Sequence, residues 1–104
     1  MDQLSNILKT FNDQFAILFT DADRVAQRIK DDIAPKVAAD VAYQNAQKNT
    51  PENARIEHDK ALMRVMVSLL KDDSEMFKQF SDNESFGRWL RETVFAMTYQ
   101  VPTV

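Results

Sequence analysis

The sequence predicts an all-α fold, a compact bundle of five to six amphipathic helices. Apolar residues recur at spacings of three and four along most of the 104 residues, which is the periodicity of helices with one buried face. No stretch of four or more residues alternates polar and apolar side chains in a way that fits a strand better. The chain also contains a single glycine, Gly87, which disfavours architectures that depend on many tight turns.

Length and charge limit the kind of domain that can form. The 104 residues match the commonest size of one domain, so we predict a single helical domain over residues 1–104. Pro102 lies beyond the last helical pattern, and residues 100–104 are predicted to form a frayed tail. Thirteen Lys and Arg oppose sixteen Asp and Glu, for a net charge of −3. A module that binds nucleic acid tightly by itself normally carries a basic excess, so that function is not expected.

Cysteine content and hydropathy exclude further classes. The chain has no cysteine, which excludes disulfides, thiolate zinc sites and cysteine nucleophiles and fits a cytoplasmic protein. The longest uninterrupted apolar run, Phe15–Phe19, is far shorter than the roughly 20 residues that cross a bilayer. The N-terminus lacks the basic region of a signal peptide. We therefore expect a cytoplasmic location without a membrane span.

The first helices are predicted from apolar spacing and capping residues. A helix beginning near Asp2 carries one apolar face, formed by Leu4, Ile7, Leu8, Phe11, Phe15 and Leu18. Thr20 is a candidate N-cap for a second helix, whose apolar positions are Val25, Ile29 and Ile33. Pro35 disfavours helical backbone at Ala34, so the second helix is predicted to stop or kink there.

Pro35 is also suited to open a third helix. The seam predicted for this helix consists of Val37, Ala38, Val41, Ala42 and Ala46. Its small side chains would allow a neighbouring helix to approach closely.

The second half of the chain predicts the central helix and two shorter ones. Thr50 and Pro51 combine an N-cap candidate with a proline at the first helical position, so the longest helix should begin here. Its predicted apolar stripe consists of Ala54, His58, Ala61, Leu62, Val65, Met66, Leu69 and Leu70. Residues 72–74 can cap a short helix that buries Met76, Phe77 and Phe80. Residues 81–84 form a similar capping sequence before the last helix. The last helix would bury Phe86, Trp89, Leu90, Val94 and Met97.

Candidate catalytic groups are few. His58 is the only histidine and lies on the predicted apolar stripe, where a histidine is more often a buried structural residue than a ligand or catalyst. Successive helical residues point about 100° apart, so Glu57 and Asp59 should not converge with it on one substrate atom. The carboxylate pairs fall at predicted helix starts or solvated faces, and the serines lack the glycine context of a nucleophile elbow. We predict no catalytic residue, no metal site and no cofactor.

Two arginine pairs are the remaining candidates for contact with a partner or with DNA. Arg24 and Arg28 are four residues apart, and Arg88 and Arg91 flank Trp89. An arginine and tryptophan patch can bind a protein surface or a nucleic-acid backbone. The alternative is that Trp89 packs inward while the arginines form ion pairs within the helix, such as Arg88 with Glu92.

Several stretches of the chain match a known family in order and spacing. They are Leu4–Phe15, Thr20–Arg24, Lys36–Asp40, Ala42–Ala46, Asn53–Leu62, Phe77–Phe80, Asp82–Asn83 with Ser85–Phe86, Trp89–Leu90 and Thr93–Phe95. Together these stretches resemble the C-terminal helical region of the restriction (R) subunit of type I restriction-modification enzymes. No single stretch encodes chemistry, so the resemblance depends on their order along nearly the whole chain. Glu84 departs from the family, which usually has proline after Asp-Asn.

The resemblance implies a part of a larger assembly. In the family, a nuclease domain and two ATP-hydrolysing motor domains precede the helical region, and this chain has neither a phosphate-binding loop nor the nuclease pattern. What the resemblance implies for this chain is a non-catalytic role, docking the DNA-translocating endonuclease onto the methyltransferase and specificity subunits, with DNA contacted indirectly or weakly. The alternatives are an auxiliary DNA-contacting module that uses the four arginines, and a stand-alone helical protein that self-associates.

Overall fold

Helices account for the regular structure of the computed structural model, which describes residues 6–7, 9–10 and 22–100. Within these residues the elements are α1 (Ala22–Arg28), a π-helical segment (Ile29–Ile33), α2 (Ala34–Ala38), α3 (Val41–Ala46), α4 (Pro51–Ser68), α5 (Ser74–Asp82) and α6 (Glu84–Thr98). No strand occurs in the described part of the chain, and the all-α prediction is confirmed. Residues 6–7 and 9–10 are helical. The rest of the predicted first helix, the Thr20 cap and residues 101–104 lie outside the described residues.

The predicted stop of the second helix at Pro35 is wrong. The backbone stays in the right-handed helical region at Ile33 and Ala34, so α1, the π-helical segment and α2 form one continuous helix. A proline inside an α-helix clashes with the carbonyl four residues earlier and leaves one acceptor unpaired. Here the preceding turn is the wider π type, and the N–H of Ala34 bonds the carbonyl of Ile29. We attribute the tolerance of Pro35 to this wide turn.

The chain turns instead at Asp40, which the sequence analysis had placed inside a helix. Its backbone is extended, and its carboxylate accepts a hydrogen bond from the N–H of Tyr43 at 3.1 Å as the N-cap of α3. This turn breaks the predicted seam, because Val41 is 69% exposed and Ala42 is exposed as well. Tyr43 is buried in their place, together with Val37 and Ala46.

The predicted start of α4 is confirmed, and its buried face matches the predicted stripe except at the end. The Thr50 hydroxyl accepts a hydrogen bond from the N–H of Asn53 at 3.1 Å, and Pro51 is the first helical residue. The predicted positions from Ala54 to Leu69 are buried. Leu70 is 45% exposed, because α4 ends at Ser68 and the chain leaves the helical register.

Two further N-caps begin α5 and α6. Asp73 accepts from the N–H of Met76 at 3.3 Å, and Asn83 accepts from the N–H of Phe86 at 3.0 Å. Phe80 and the predicted residues of α6 up to Val94 are buried, apart from Trp89, which is half-buried like Phe77. Met97 was also predicted to be buried but is 45% exposed, and Thr98 takes the inward position at the end of α6.

One cluster of buried side chains joins all these helices. The predicted positions Val25, Ile29 and Ile33 are fully buried in it. No helix in the described residues is long and apolar enough to cross a membrane.

Candidate functional site

Arg24 and Arg28 are both bonded to a buried carboxylate. The guanidinium of Arg24 lies 2.9 Å from Oδ2 of Asp73, and that of Arg28 lies 3.2 Å from the same oxygen. Arg28 also pairs with Asp32 at 3.1 Å. The other oxygen of Asp73 caps α5. This pair of predicted contact residues therefore holds α1 against the start of α5.

The second arginine pair lies on α6, where Arg88 is exposed and Arg91 is half-buried. Arg88 pairs with Glu84 at 3.1 Å, so the anticipated pair with Glu92 does not form. Glu92 instead accepts two hydrogen bonds from Arg55 of α4, at 3.0 and 3.1 Å. Arg91 lies over the ring of Phe80, 4.8 Å from its centroid, which is a favourable cation–π distance.

A groove of about 770 Å³ separates α4 from the corner formed by α5 and α6. Arg55, Asp59 and Met63 line it from the α4 side, and Arg88 and Arg91 face them from α6. The groove thus brings together one predicted arginine pair with Arg55. Arg24 and Arg28 line a separate depression on α1, so the four arginines do not form one basic surface. Three arginines and four carboxylates line the groove, the latter being Asp59, Asp82, Glu84 and Glu92.

His58 is fully buried, as its place on the stripe predicted. Its Nδ1 lies 2.9 Å from a carboxylate oxygen of Asp59, which assigns the ring proton to Nδ1. The rings of Tyr43 and Phe95 pack against the imidazole in T-shaped geometry, at centroid distances of 5.3 and 5.1 Å. Nε2 has no hydrogen-bond partner within the described residues. The carboxylate of Asp59 does contact His58. The buried imidazole is nevertheless inaccessible to a substrate in this conformation.

A second buried polar contact lies beside His58. The Tyr43 hydroxyl is 2.9 Å from Oγ1 of Thr98, and Thr98 donates its own proton to the carbonyl of Val94 at 2.8 Å. Tyr43 is therefore the donor to Thr98. Burial raises the pKa of Tyr43 above its ordinary value of 10.0, although the Thr98 hydroxyl acts in the opposite direction. This bond ties α3 to the end of α6.

Burial makes His58 a source of acid sensitivity. Desolvation lowers its pKa below the ordinary 6.5, against the opposing effect of Asp59, so the unfolded chain binds a proton that the folded chain resists. The free energy of unfolding should then fall as pH drops below 6.5, by up to about 1.4 kcal/mol per pH unit. Urea unfolding at a series of pH values between 7.5 and 5 would measure this slope.

The control for that slope is His58→Gln, which removes the titrating group and should flatten the profile above pH 5. Asp40 contributes only at lower pH. Desolvation raises its pKa, but the hydrogen bonds from Arg64 and the N–H of Tyr43 outweigh this and hold it below 3.8, so its contribution is lost as pH falls below that value. An unchanged slope in His58→Gln would contradict the assignment.

The outward face of α4 carries an apolar stripe that the sequence analysis missed. Ile56, Met63, Val67 and Leu70 are 52%, 41%, 52% and 45% exposed. Spacings of seven and four residues place Ile56, Met63 and Val67 along one side of the helix, opposite the buried face. Leu70 follows two residues beyond the end of the helix. The spacing was visible in the sequence, but the stronger inward pattern of the same helix concealed it. We call these four residues the α4 stripe.

Comparisons with known proteins leave the family open. No family model matches the chain, and neither the curated proteins nor the solved structures contain a match. In the described residues, no group of three or more His, Asp or Glu side chains could hold a metal ion. The α4 stripe and the neighbouring groove are the candidate functional surfaces of the described residues.

Proposed function

We propose that this chain is a non-catalytic docking domain that binds a partner protein through the outward face of α4. The α4 stripe carries the proposal. Three large apolar side chains lie in a line on the longest helix and Leu70 follows just beyond its end, each of the four more than two-fifths exposed. Single exposed apolar residues are common on protein surfaces, but a contiguous set on one face is typical of interaction sites.

The arginines give less support to a DNA-binding role. Arg24 and Arg28 are bonded to Asp73, Arg88 to Glu84, and Arg91 lies over Phe80. Each of these guanidinium groups would have to give up or share an internal contact to neutralise a phosphate. The chain's net charge of −3 also opposes a nucleic-acid backbone. Protein docking is therefore the function we favour.

The resemblance to the R subunit of type I restriction enzymes suggests which assembly this domain serves. We propose that it docks the ATP-dependent translocase and endonuclease onto the methyltransferase and specificity subunits in the cytoplasm, with DNA held by other parts of the complex. The ordered matching stretches along the chain support this finer proposal.

The test is binding of the full 104-residue chain to the cognate methyltransferase–specificity complex. Titration calorimetry should show binding that Ile56→Ser/Val67→Ser weakens by about tenfold or more, because each truncation removes apolar area from the interface. Met97→Ser is the matched control, since Met97 is 45% exposed on a different helix. Absence of binding would refute the restriction-enzyme assembly, and equal weakening by both variants would refute the role of α4.

A further inference from the structure

Grooves border the α4 stripe on both sides. Met63 lines the groove between α4 and α6 described above, and Ile56 lines a second groove of about 300 Å³ between α3 and the beginning of α4. At 100° per residue, Asp59 of the first groove and Asn53 of the second lie on opposite sides of Ile56. A partner that covers the α4 stripe therefore meets both grooves.

The second groove is lined by three exposed side-chain amides. They belong to Asn45 of α3, Asn49 in the connection that follows it, and Asn53 of α4. None of these amide groups has a hydrogen-bond partner among the described residues, since the bond between Asn53 and Thr50 uses the backbone N–H. Each amide keeps two N–H donors and a carbonyl acceptor for a ligand. We call this second groove the amide groove.

The amide groove carries little charge. Glu57 is the one ionisable residue that lines it within the described part of the chain, and its carboxylate lies 3.5 Å from Nζ of Lys60. A phosphate or carboxylate ligand would find no cationic side chain among these lining residues. The polar chemistry that the groove offers is that of uncharged amides.

Peptide groups have the same chemistry as these side chains. An extended segment presents one N–H and one C=O per residue, about 3.3 Å apart along the chain, whereas a helix bonds these groups internally. Ala42 and Ala46 also line the groove, and their small side chains let a backbone approach. Ile56 adds an apolar contact beside Asn53.

We infer that the amide groove binds an extended, uncharged peptide segment of the docking partner through the main chain of that segment. The inference rests on the proposed docking function, because Ile56 belongs to both the groove and the α4 stripe, and adds the conformation of the bound segment. A helical segment fits less well because its main-chain groups are already bonded. A nucleic-acid strand fits less well because it presents phosphates.

The test is heteronuclear NMR of the isotope-labelled full chain, which resolves the side-chain NH₂ signals of individual asparagines. The probe is an uncharged hexapeptide of alternating threonine and alanine, acetylated and amidated at its ends. Its control is the same peptide methylated on every backbone nitrogen, which has no main-chain N–H donor. The signals of Asn45, Asn49 and Asn53 should shift with peptide concentration, whereas those of Gln79 and Asn83 should stay in place. The methylated peptide should bind at least about tenfold more weakly.

Variants identify the residues responsible. Asn49→Ala/Asn53→Ala removes two amides from exposed positions, so it should keep the Tm of the parent to within a few degrees. It should bind the unmethylated peptide at least about tenfold more weakly. Gln79→Ala is the matched control, because it removes a side-chain amide from α5, outside the amide groove. This control should bind the peptide as the parent does.

Three results would each overturn the inference: asparagine signals that stay in place, equal affinity for the two peptides, or equal affinity of the double variant and Gln79→Ala. Calorimetry with the methyltransferase–specificity complex tests the proposed function separately. If the complex bound and the peptide did not, docking by the α4 stripe would stand without the amide groove. If the peptide bound and the complex did not, only the restriction-enzyme assembly would be refuted.

Discussion

Replacing Asp73 by alanine is expected to lower the free energy of unfolding by about 2–4 kcal/mol. The carboxylate is 5% exposed and accepts from Arg24, Arg28 and the N–H of Met76. Its removal leaves two guanidinium groups without their shared acceptor and opens the first turn of α5. Both arginines are partly exposed and can regain water, which keeps the cost below that of a fully buried pair. Urea unfolding followed by far-UV circular dichroism measures the change.

The neighbouring residues of the chain provide matched controls for Asp73. Asp72→Ala removes the same group from an exposed position and should change stability by less than about 0.5 kcal/mol. Asp73→Asn keeps a good N-cap but loses the charge, so its effect should lie between the two alanine variants. Equal effects of Asp72→Ala and Asp73→Ala would contradict the bridging role of Asp73.

The substitution Gly87→Ala should destabilise the fold by about 1–2 kcal/mol, although alanine is the better helix former. A Cβ at this position would lie 2.9 Å from the backbone carbonyl oxygen of Phe80 and 3.2 Å from a terminal nitrogen of Arg91. The side chain of Arg91 can move, but the carbonyl belongs to the end of α5. The corner between α5 and α6 must open to accept the methyl group.

Thermal unfolding would detect this change as a lower Tm. The matched control is Ser85→Ala, an exposed position on the same helix, where the higher helix propensity of alanine should leave stability unchanged or slightly raised. A Gly87→Ala variant as stable as the parent would show that the corner is not closely packed at Gly87.

The sequence allowed prediction of the elements whose signals are local. Thr50 with Pro51, Asp73 and Asn83 lie where the helices begin, because a side-chain acceptor next to unpaired N–H groups acts within a few residues. The inward stripe of α4 was predicted for a similar reason, since burial repeats with the helical period. These features specify α4, α5 and α6 almost completely.

The predictions that failed concern features that helical spacing alone does not determine. Pro35 was expected to stop or kink a helix, but the π turn before it accommodates the proline. The apolar spacing does not reveal this turn. Arg88 and Glu92 were placed together by their spacing, yet Arg55 of α4 takes Glu92. Leu70 and Met97 fit the helical spacing of the apolar residues before them, but both side chains are exposed. The pairing of Glu92 with Arg55 follows from tertiary packing rather than from spacing.

The candidate surfaces were only partly predictable. Arg88 and Arg91 were identified in the sequence and do line the groove, but their joining with Arg55 depends on how α4 and α6 pack. Asp73 was predicted only as a possible helix cap. Its role as acceptor for two arginines of α1 depends on the tertiary structure, because Asp73 lies 49 residues from Arg24 in the sequence. The spacing of the α4 stripe is visible in the sequence, but the same helix also carries the stronger apolar pattern of its buried face.

Because α4 has two apolar sides, the fold must favour one orientation of this helix over the other. A helix that is apolar on opposite sides can turn either side inward, and in α4 burial favours the side that carries more apolar residues. The inward side contains Ala54 and Ala61, both fully buried, whereas the α4 stripe contains only large side chains. Small residues let neighbouring helices approach α4 closely, and the large ones would hold them apart. The two alanines therefore add to the preference that burial sets and leave the α4 stripe at the surface. A partner that covers it would make α4 the shared central helix of two cores.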